Sequence, residues 1–401
     1  MVFCTYSATG DDYLAHSYCI SIFTFEYKAL PSNRDWLGSK INCRCLIQHF
    51  LFFSVEIYKY NIMKRAVASI ADIQAKKVRS VEPWKQLFTG TLPNCPDSVV
   101  ALDKVLPAGQ AFRWKKIGSK WRGVIGNFIY DLTQLEREIQ YEAKTELSIE
   151  ETGHIDANKI LNSYFNLHID HDDLLQTWKV KDVNFQEVSF DGCRVIAVEP
   201  VECLYSFICS ANNNIPRISK MVSFLAQKYG KKLGTIEDVD YYSFPKPSQL
   251  LATNVEKILR DNGFGYRAAY IAKTSTMLHG LGGEEYLLNL KSPSVTYSTA
   301  SDCLVKLHGI GRKVADCICL MSLSKFESVP IDTHVFQIAM KLYDIPSLSS
   351  MKRKTKVNMS ASLYHEIGDH FRSLWGSHAG WAQQILFTRR VLERHNNFSQ
   401  N

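Results

Sequence analysis

The chain has 401 residues, 46% of them hydrophobic and 22% charged, with a formal net charge of +7. That length allows two or three domains with a sizeable core, and the composition is that of a globular chain rather than a disordered one. The modest basic excess favours an acidic partner such as nucleic acid but is too small to single one out.

The 11 cysteines are scattered. They give no paired C-x2-C ligand set, so no zinc or other metal site is expected. An odd count without a clear secretory signal points to reduced thiols. The longest early apolar run, LIQHFLFFSV (Leu46 to Val55), is too short and too interrupted by Gln48 and His49 to cross a bilayer. No membrane span is expected.

Residues 1–85 read as a dispensable extension. Most of it shows no sustained period of 3.6 or 2, and Met63 opens a basic, helix-compatible stretch, MKRAVASIADIQAKKVRS. A disordered leader, an alternative start at Met63 and a targeting segment all stay open, the last weakened by Asp72. An α+β domain is expected over residues 92–203, a helical domain over 204–395, and a short tail over 396–401.

In the first domain, GQAFRWKKIGSKWRGVIGNFIYDLT alternates in period 2 around glycines, which predicts antiparallel strands and hairpins. NKILNSYFN and DHDDLLQTWKV predict short helices, the second with acidic residues in its first turn. GCRVIAVEP reads as a closing strand stopped by Pro200.

Beyond Pro200 the pattern is helical nearly to the end. VECLYSFICSA, PRISKMVSFLAQKYG, NVEKILRDNG, YRAAYIAKTSTMLHG and EEYLLNL each repeat apolar residues at helical spacing and most stop at glycine or asparagine. DTHVFQIAMKL, SASLYHEIGDHFRSLW and GWAQQILFTRRVLERH follow, and KRKTK (Lys352 to Lys356) falls in a polar loop as a solvated surface or nuclear-import signal.

TASDCLVKL and KVADCICLMSL flank a turn, His308-Gly309-Ile310-Gly311, with helices expected to end at Leu307 and restart near Lys313. Gly309 and Gly311 allow backbone conformations that a Cβ would hinder and a close approach to a partner. The turn amides and the next helix start could cradle a phosphate, or a metal ion bridging to one. Lys313 sits at the positive end of a helix dipole, which disfavours an ammonium there and favours a nucleophilic amine. Position alone leaves a phosphate-binding lysine equally open. Asp332, after Pro330 in VPIDTHVFQI, reads as the N-cap of an apolar helix approached by a strand-like segment. A capping aspartate keeps one oxygen free to steady positive charge or accept a proton. His334 reads as a supporting hydrogen-bonder.

The hairpin, Lys313 and Pro330-Ile331-Asp332 together resemble the helix-hairpin-helix, glycine/proline/aspartate superfamily of base-excision DNA glycosylases. FICSANNNIPRI, GFGYRAAY, GQAFRW and FRSLWGSHAGWAQQILF extend the resemblance to its eukaryotic 8-oxoguanine DNA glycosylase/AP lyase branch, over residues 92–392. The fold implied is α+β: an N-terminal antiparallel β-sheet with helices (TBP-like), then an all-helical helix-hairpin-helix core.

The resemblance also implies roles. Lys313 attacks C1′ and forms a Schiff base, and Asp332 stabilises the oxocarbenium-like transition state. Gly109 offers its carbonyl to the N7–H of the oxidised base, Gln383 meets its Watson–Crick edge, Phe387 and Cys317 stack on it, and Pro330 belongs to the same pocket. Asn212, Arg217, Tyr266 and Arg267 fill the vacated stack and read the orphan cytosine, with His334 on the DNA side. Gly309 and Gly311 contact phosphate. The partner implied is double-stranded DNA containing 8-oxoguanine, met by a monomer in the nucleus, with the mitochondrion as a second compartment. No cofactor is required for catalysis, and a structural cation joins the hairpin when DNA is bound.

Departures are Ala111, where some relatives have serine, Thr333, and Phe336, which could alter the packing of its helix. No cysteine follows Cys319, so the four-cysteine iron–sulfur motif of endonuclease III and adenine glycosylases is absent. The rivals are a same-fold glycosylase for another lesion, such as alkylated adenine, and a non-catalytic helix-hairpin-helix DNA-binding module. Gly109, Cys317, Gln383 and Phe387 speak against the first, and Lys313 with Asp332 against the second.

Overall fold

The computed structural model describes residues 63–65, 84–186, 192–349 and 359–398. The chain divides into Met1–Val81, of which only the helical Met63–Arg65 is described, and Glu82–Asn401. The rest of the extension up to residue 83, with the Leu46–Val55 run, and KRKTK lie outside the described residues. No helix among the described residues is long and apolar enough to cross a membrane.

Five strands form an antiparallel sheet: β1 (Gln86–Leu92), β2 (Lys115–Ile117), β3 (Lys120–Ile125), β4 (Phe128–Gln134) and β5 (Ile139–Thr145), in the order β1-β5-β4-β3-β2. The turns joining β2 to β3 and β3 to β4 hold Gly118 and Gly126 at positive φ, as tight hairpins require. The sheet therefore starts before residue 92, with β1, and β5 is a further strand that the period-2 reading did not mark.

Along β4 the side chains alternate. Phe128, Tyr130 and Leu132 face the main core, whereas Ile129 joins Val124, Leu147 and Leu233 in a small second core. Leu233 belongs to a two-stranded hairpin, β6 (Lys232–Ile236) and β7 (Val239–Tyr242). The expectation of helix throughout the region beyond Pro200 missed it. Its strands are only five and four residues long, and Leu233, Ile236 and Tyr241 pack into the second core on the back of the sheet.

The described helices are α1 (Leu102–Val105), α2 (Ile149–Thr152), α3 (Ala157–Tyr164), α4 (His171–Lys181), α5 (Pro200–Ser210), α6 (Ile215–Tyr229), α7 (Val255–Asp261), α8 (Arg267–Gly280), α9 (Glu284–Lys291), α10 (Tyr297–Leu304), α11 (Arg312–Met321), α12 (Thr333–Leu342), α13 (Pro346–Ser349), α14 (Ala361–Trp375) and α15 (Ala379–Phe398). Helix α5 is buried from Pro200 to Cys209. Apolar nearly all round, it forms the hub of one core that includes Tyr130 of the sheet and Ile385 of α15.

GCRVIAVEP is not a strand. Residues after Gly192 form no ladder, and amides among them are satisfied singly: Ala197 N–H donates to the Tyr164 carbonyl at 2.7 Å and Val198 N–H to the Met321 carbonyl at 2.8 Å. Pro200 opens α5 at a first-turn position, where its missing N–H costs nothing. The approach to Asp332 is likewise irregular, with no strand ladder. Helix α15 continues into the residues expected as a tail.

Candidate active site

Helix α10 ends at Leu304, three residues before the expected stop, and α11 starts at Arg312, with Gly311 as N-cap. Between them the two glycines differ. Gly309 has φ +80°, and a Cβ there would lie 2.3 Å from Cγ of Tyr270, so both backbone and packing demand glycine. Gly311 has φ −89° and open space around it, which corrects the expectation that both are needed for chain geometry. Thr274 Oγ1 donates to the His308 carbonyl at 2.6 Å, and Tyr270 meets the His308 ring edge-on at 5.3 Å. The turn thus rests on α8.

Lys313 is the second residue of α11 and is half-buried. Its Nζ lies 5.3 Å from the centre of the Phe207 ring on α5. One turn later is buried Cys317; desolvation pushes its thiol up to about 11, the nearby Lys313 charge opposing.

Asp332 comes from the far end of a pinned segment. Gly380 N–H donates to the Phe326 carbonyl at 2.8 Å, and Ser328 Oγ donates to the Asp316 carbonyl at 3.0 Å. A Cβ on Gly380 would stand 1.8 Å from the Ser328 oxygen, so α15 approaches this segment through a glycine. Asp332 caps α12 as expected: Oδ1 accepts from His334 N–H and Val335 N–H, each at 2.8 Å. Oδ2 takes no part in these bonds. Neither Lys313 nor Asp332 belongs to an ion pair among the described residues.

Both line a cleft of about 710 Å³. Gly109, Asn212, His334 and Phe387 line it too, as do Thr333 and Phe336, so two of the noted departures fall on its wall. Gly109 has φ +74°, and the next residue, Gln110, is buried and fixes the loop. Its Nε2 donates to the Arg194 carbonyl at 2.9 Å and its Oε1 accepts from Ile196 N–H at 3.0 Å. Phe387 of α15 meets His334 edge-on at 5.7 Å. Gln383, one turn before it, is 3% exposed and not among the lining residues, and its Oε1 has no hydrogen-bond partner among the described residues. Pro330 and Cys317 are buried and are not among the lining residues, which include Ile331. Phe112, Phe207 and Met359 line the cleft without having been singled out. Phe207 sits in a helix apolar on all sides, where no pattern separates a cleft residue from a core one.

A second group gathers at the Asn212 end. Asn212 has φ +46°, and Asn214 caps α6 by accepting from Arg217 N–H at 3.0 Å. Arg217 Nη2 donates to the Gly263 carbonyl at 2.9 Å, which brings α6 to the turn before Tyr266. Tyr266 is 44% exposed, and its hydroxyl donates to the Ala211 carbonyl at 3.0 Å. Arg267 is 3% exposed and turned inward: Nε donates to the Ala211 carbonyl at 3.1 Å and Nη2 to the Asn212 carbonyl at 3.0 Å. In this conformation it staples the asparagine loop. Gly309 and Gly311 lie outside the cleft lining, on the hairpin itself.

A family model described as 8-oxoguanine DNA glycosylase, N-terminal domain, matches residues 94–204. One described as HhH-GPD superfamily base excision DNA repair protein matches residues 205–361. The chain is 36% identical to the N-glycosylase/DNA lyase OGG1 of Arabidopsis thaliana, over 72% of this chain and 76% of that one. It is 34% identical to the N-glycosylase/DNA lyase of Saccharomyces cerevisiae, over 73% and 84%. Its fold superposes on a crystal structure of Clostridium acetobutylicum 8-oxoguanine glycosylase/lyase in complex with double-stranded DNA containing cytosine opposite 8-oxoguanine. The TM-score is 0.59 at 28% identity, covering 78% of this chain and 99% of the other. An antiparallel sheet followed by a helical core is the architecture that the sequence resemblance implied. With two family models in tandem and relatives aligned over most of their length, the chain belongs to the 8-oxoguanine DNA glycosylase/lyase family of the helix-hairpin-helix superfamily.

Proposed function

We propose that this protein excises 8-oxoguanine opposite cytosine from duplex DNA and then cleaves the strand at the emptied sugar. The observation that carries this reading is one cleft lined together by Lys313, Asp332, Gly109 and Phe387, from separate elements. A base must leave the stack to enter it.

Lys313 Nζ attacks C1′, and the bond from C1′ to the base breaks with its electrons leaving on the base. The C1′–O4′ bond then breaks, a proton passing from Nζ to O4′, and a Schiff base between C1′ and Nζ remains. Loss of a proton from C2′ lets the C3′–O3′ bond break by β-elimination. Asp332, through the Oδ2 that its capping bonds leave aside, steadies the positive charge on the sugar and helps to position the amine.

The Gly109 carbonyl accepts the N7–H that guanine lacks, a discrimination of about 1–3 kcal/mol. Gln383 meets the Watson–Crick edge; its buried, unpartnered Oε1 supports this, because a donor on the base would satisfy it. Phe387 and Cys317 flank the base, with Pro330 behind. Asn212, Arg217 and Tyr266 occupy the vacated stack, and Arg267 exchanges its backbone carbonyls for the cytosine edge. His334 supports the DNA side.

The hairpin amides at Gly309 and Gly311 meet phosphate. A structural cation joins the hairpin there when DNA is bound. Catalysis itself uses no cofactor. The protein acts as a monomer in the nucleus, with the mitochondrion as a second compartment.

Duplexes differing only in lesion and opposite base, incubated with borohydride, test the reading. The expected result is a covalent adduct with 8-oxoguanine opposite cytosine, much weaker opposite the other bases. Preferential release of alkylated adenine would favour the same-fold rival, and tight binding with no excision would leave only a DNA-binding module.

A further inference from the structure

Behind the cleft, Asp316 of α11 is 1% exposed, and its carboxylate accepts from two phenols. Tyr297 of α10 donates to Oδ1 at 2.8 Å, and Tyr364 of α14 donates to Oδ2 at 2.6 Å. A phenol has one proton to give, and Tyr364 gives it to Asp316. Its lone pairs remain, and the Ile331 N–H donates to that same oxygen at 3.2 Å. Ile331 is buried and directly precedes Asp332. A chain of hydrogen bonds therefore runs from the helix carrying Lys313, through one hydroxyl on α14, to the backbone beside Asp332.

We propose that Tyr364 is a positioning residue that holds the Asp332 carboxylate in register with the Lys313 helix. The inference rests on the roles given to Lys313 and Asp332 above. Without the hydroxyl, the Ile331 N–H is buried with no partner and the carboxylate loses one of its donors. The peptide entering Asp332 is then free to turn. Misplacing a reacting group by about 1 Å can cost about 100-fold in rate.

Tyr297 supplies the control. It donates to the same carboxylate, but its hydroxyl has no hydrogen bond to the segment leading to Asp332. A merely structural network would make the two tyrosines equivalent.

Single-turnover excision and DNA affinity are measured for the wild type, Tyr364→Phe and Tyr297→Phe on a duplex with 8-oxoguanine opposite cytosine. Tyr364→Phe should slow excision about 10- to 100-fold with affinity unchanged. Tyr297→Phe should stay within about threefold at a comparable loss of stability, measured by urea unfolding. Equal slowing in both variants overturns the proposal, as does a wild-type rate in Tyr364→Phe. If Tyr364→Phe does not accumulate as folded protein, Asp316→Asn is assayed in its place. It keeps the shape but removes the anionic acceptor of the phenol: slower excision at unchanged affinity supports the proposal, and a wild-type rate overturns it. A wild-type protein that leaves this duplex intact removes the proposed function, and the inference with it.

Discussion

Two buried aspartates, one in the sheet and one in the helical core, are satisfied in opposite ways. Asp131 on β4 lies among cations: Arg122 Nε at 2.5 Å, Lys120 at 3.2 Å and Lys144 at 3.3 Å. Burial pushes its carboxyl up, but the Arg122 bond and the neighbouring charges outweigh it and hold it below the ordinary value. Asp316 receives two tyrosine hydroxyls instead, and burial wins: its carboxyl is pushed up. The sheet site ties three strands together with charge. The helical site has no ion pair among the described residues and holds a segment by directional bonds from neutral donors. On the positioning role proposed for Tyr364, the first site should weigh on stability and the second on the geometry of the cleft.

The largest effect that would sharpen this division is loss of the covalent adduct. Lys313→Gln should abolish borohydride trapping while leaving the melting temperature near wild type. An unchanged trapping yield would remove Lys313 as the nucleophile. Asp332→Asn comes next: excision should fall by about 10²–10³-fold in a single-turnover assay, with DNA affinity nearly intact. Equal loss of both would reduce Asp332 to a helix cap.

Arg122→Met should do the reverse. Removing one partner of a buried pair costs about 3–5 kcal/mol, read by urea unfolding, whereas the excision rate per folded molecule should hold. A lower rate in fully folded protein would break the comparison.

The smallest effect is in pH. Asp131, with its folded pKa held below 3.8, contributes stability that is present above 3.8 and lost as pH falls through the folded value. Asp316, raised above 3.8, contributes most below 3.8, and that contribution is lost as pH rises through its folded value. Acid titrations followed by circular dichroism should therefore show a shallower acid loss in Arg122→Met and a steeper one in Asp316→Asn.

Much of the site could be read before folding because it rests on local rules. The capping position of Asp332, the placement of Lys313 in the first turn of a helix, and the spacing of Gln383 and Phe387 follow from helix geometry within a few residues of each. The errors have a different origin. Gly309 and Gly311 look alike in the chain, and only the Tyr270 ring separates them. That Arg267 turns inward onto the Ala211 and Asn212 carbonyls is likewise a tertiary contact that no local pattern carries. The β6–β7 hairpin has no strong pattern of its own, since it exists by covering one face of β4.

By itself the sequence determined the order of most helices, their caps, and the chemistry available to Lys313 and Asp332. Periodicity and capping act between residues close along the chain, so a string of letters carries them. Only the tertiary structure decided that one cleft takes its wall from α5, α11, α12 and α15, and that a hydroxyl on α14 joins Asp316 to the backbone beside Asp332. Those contacts link residues far apart in sequence, and burial of the shared core is what brings them within hydrogen-bonding reach.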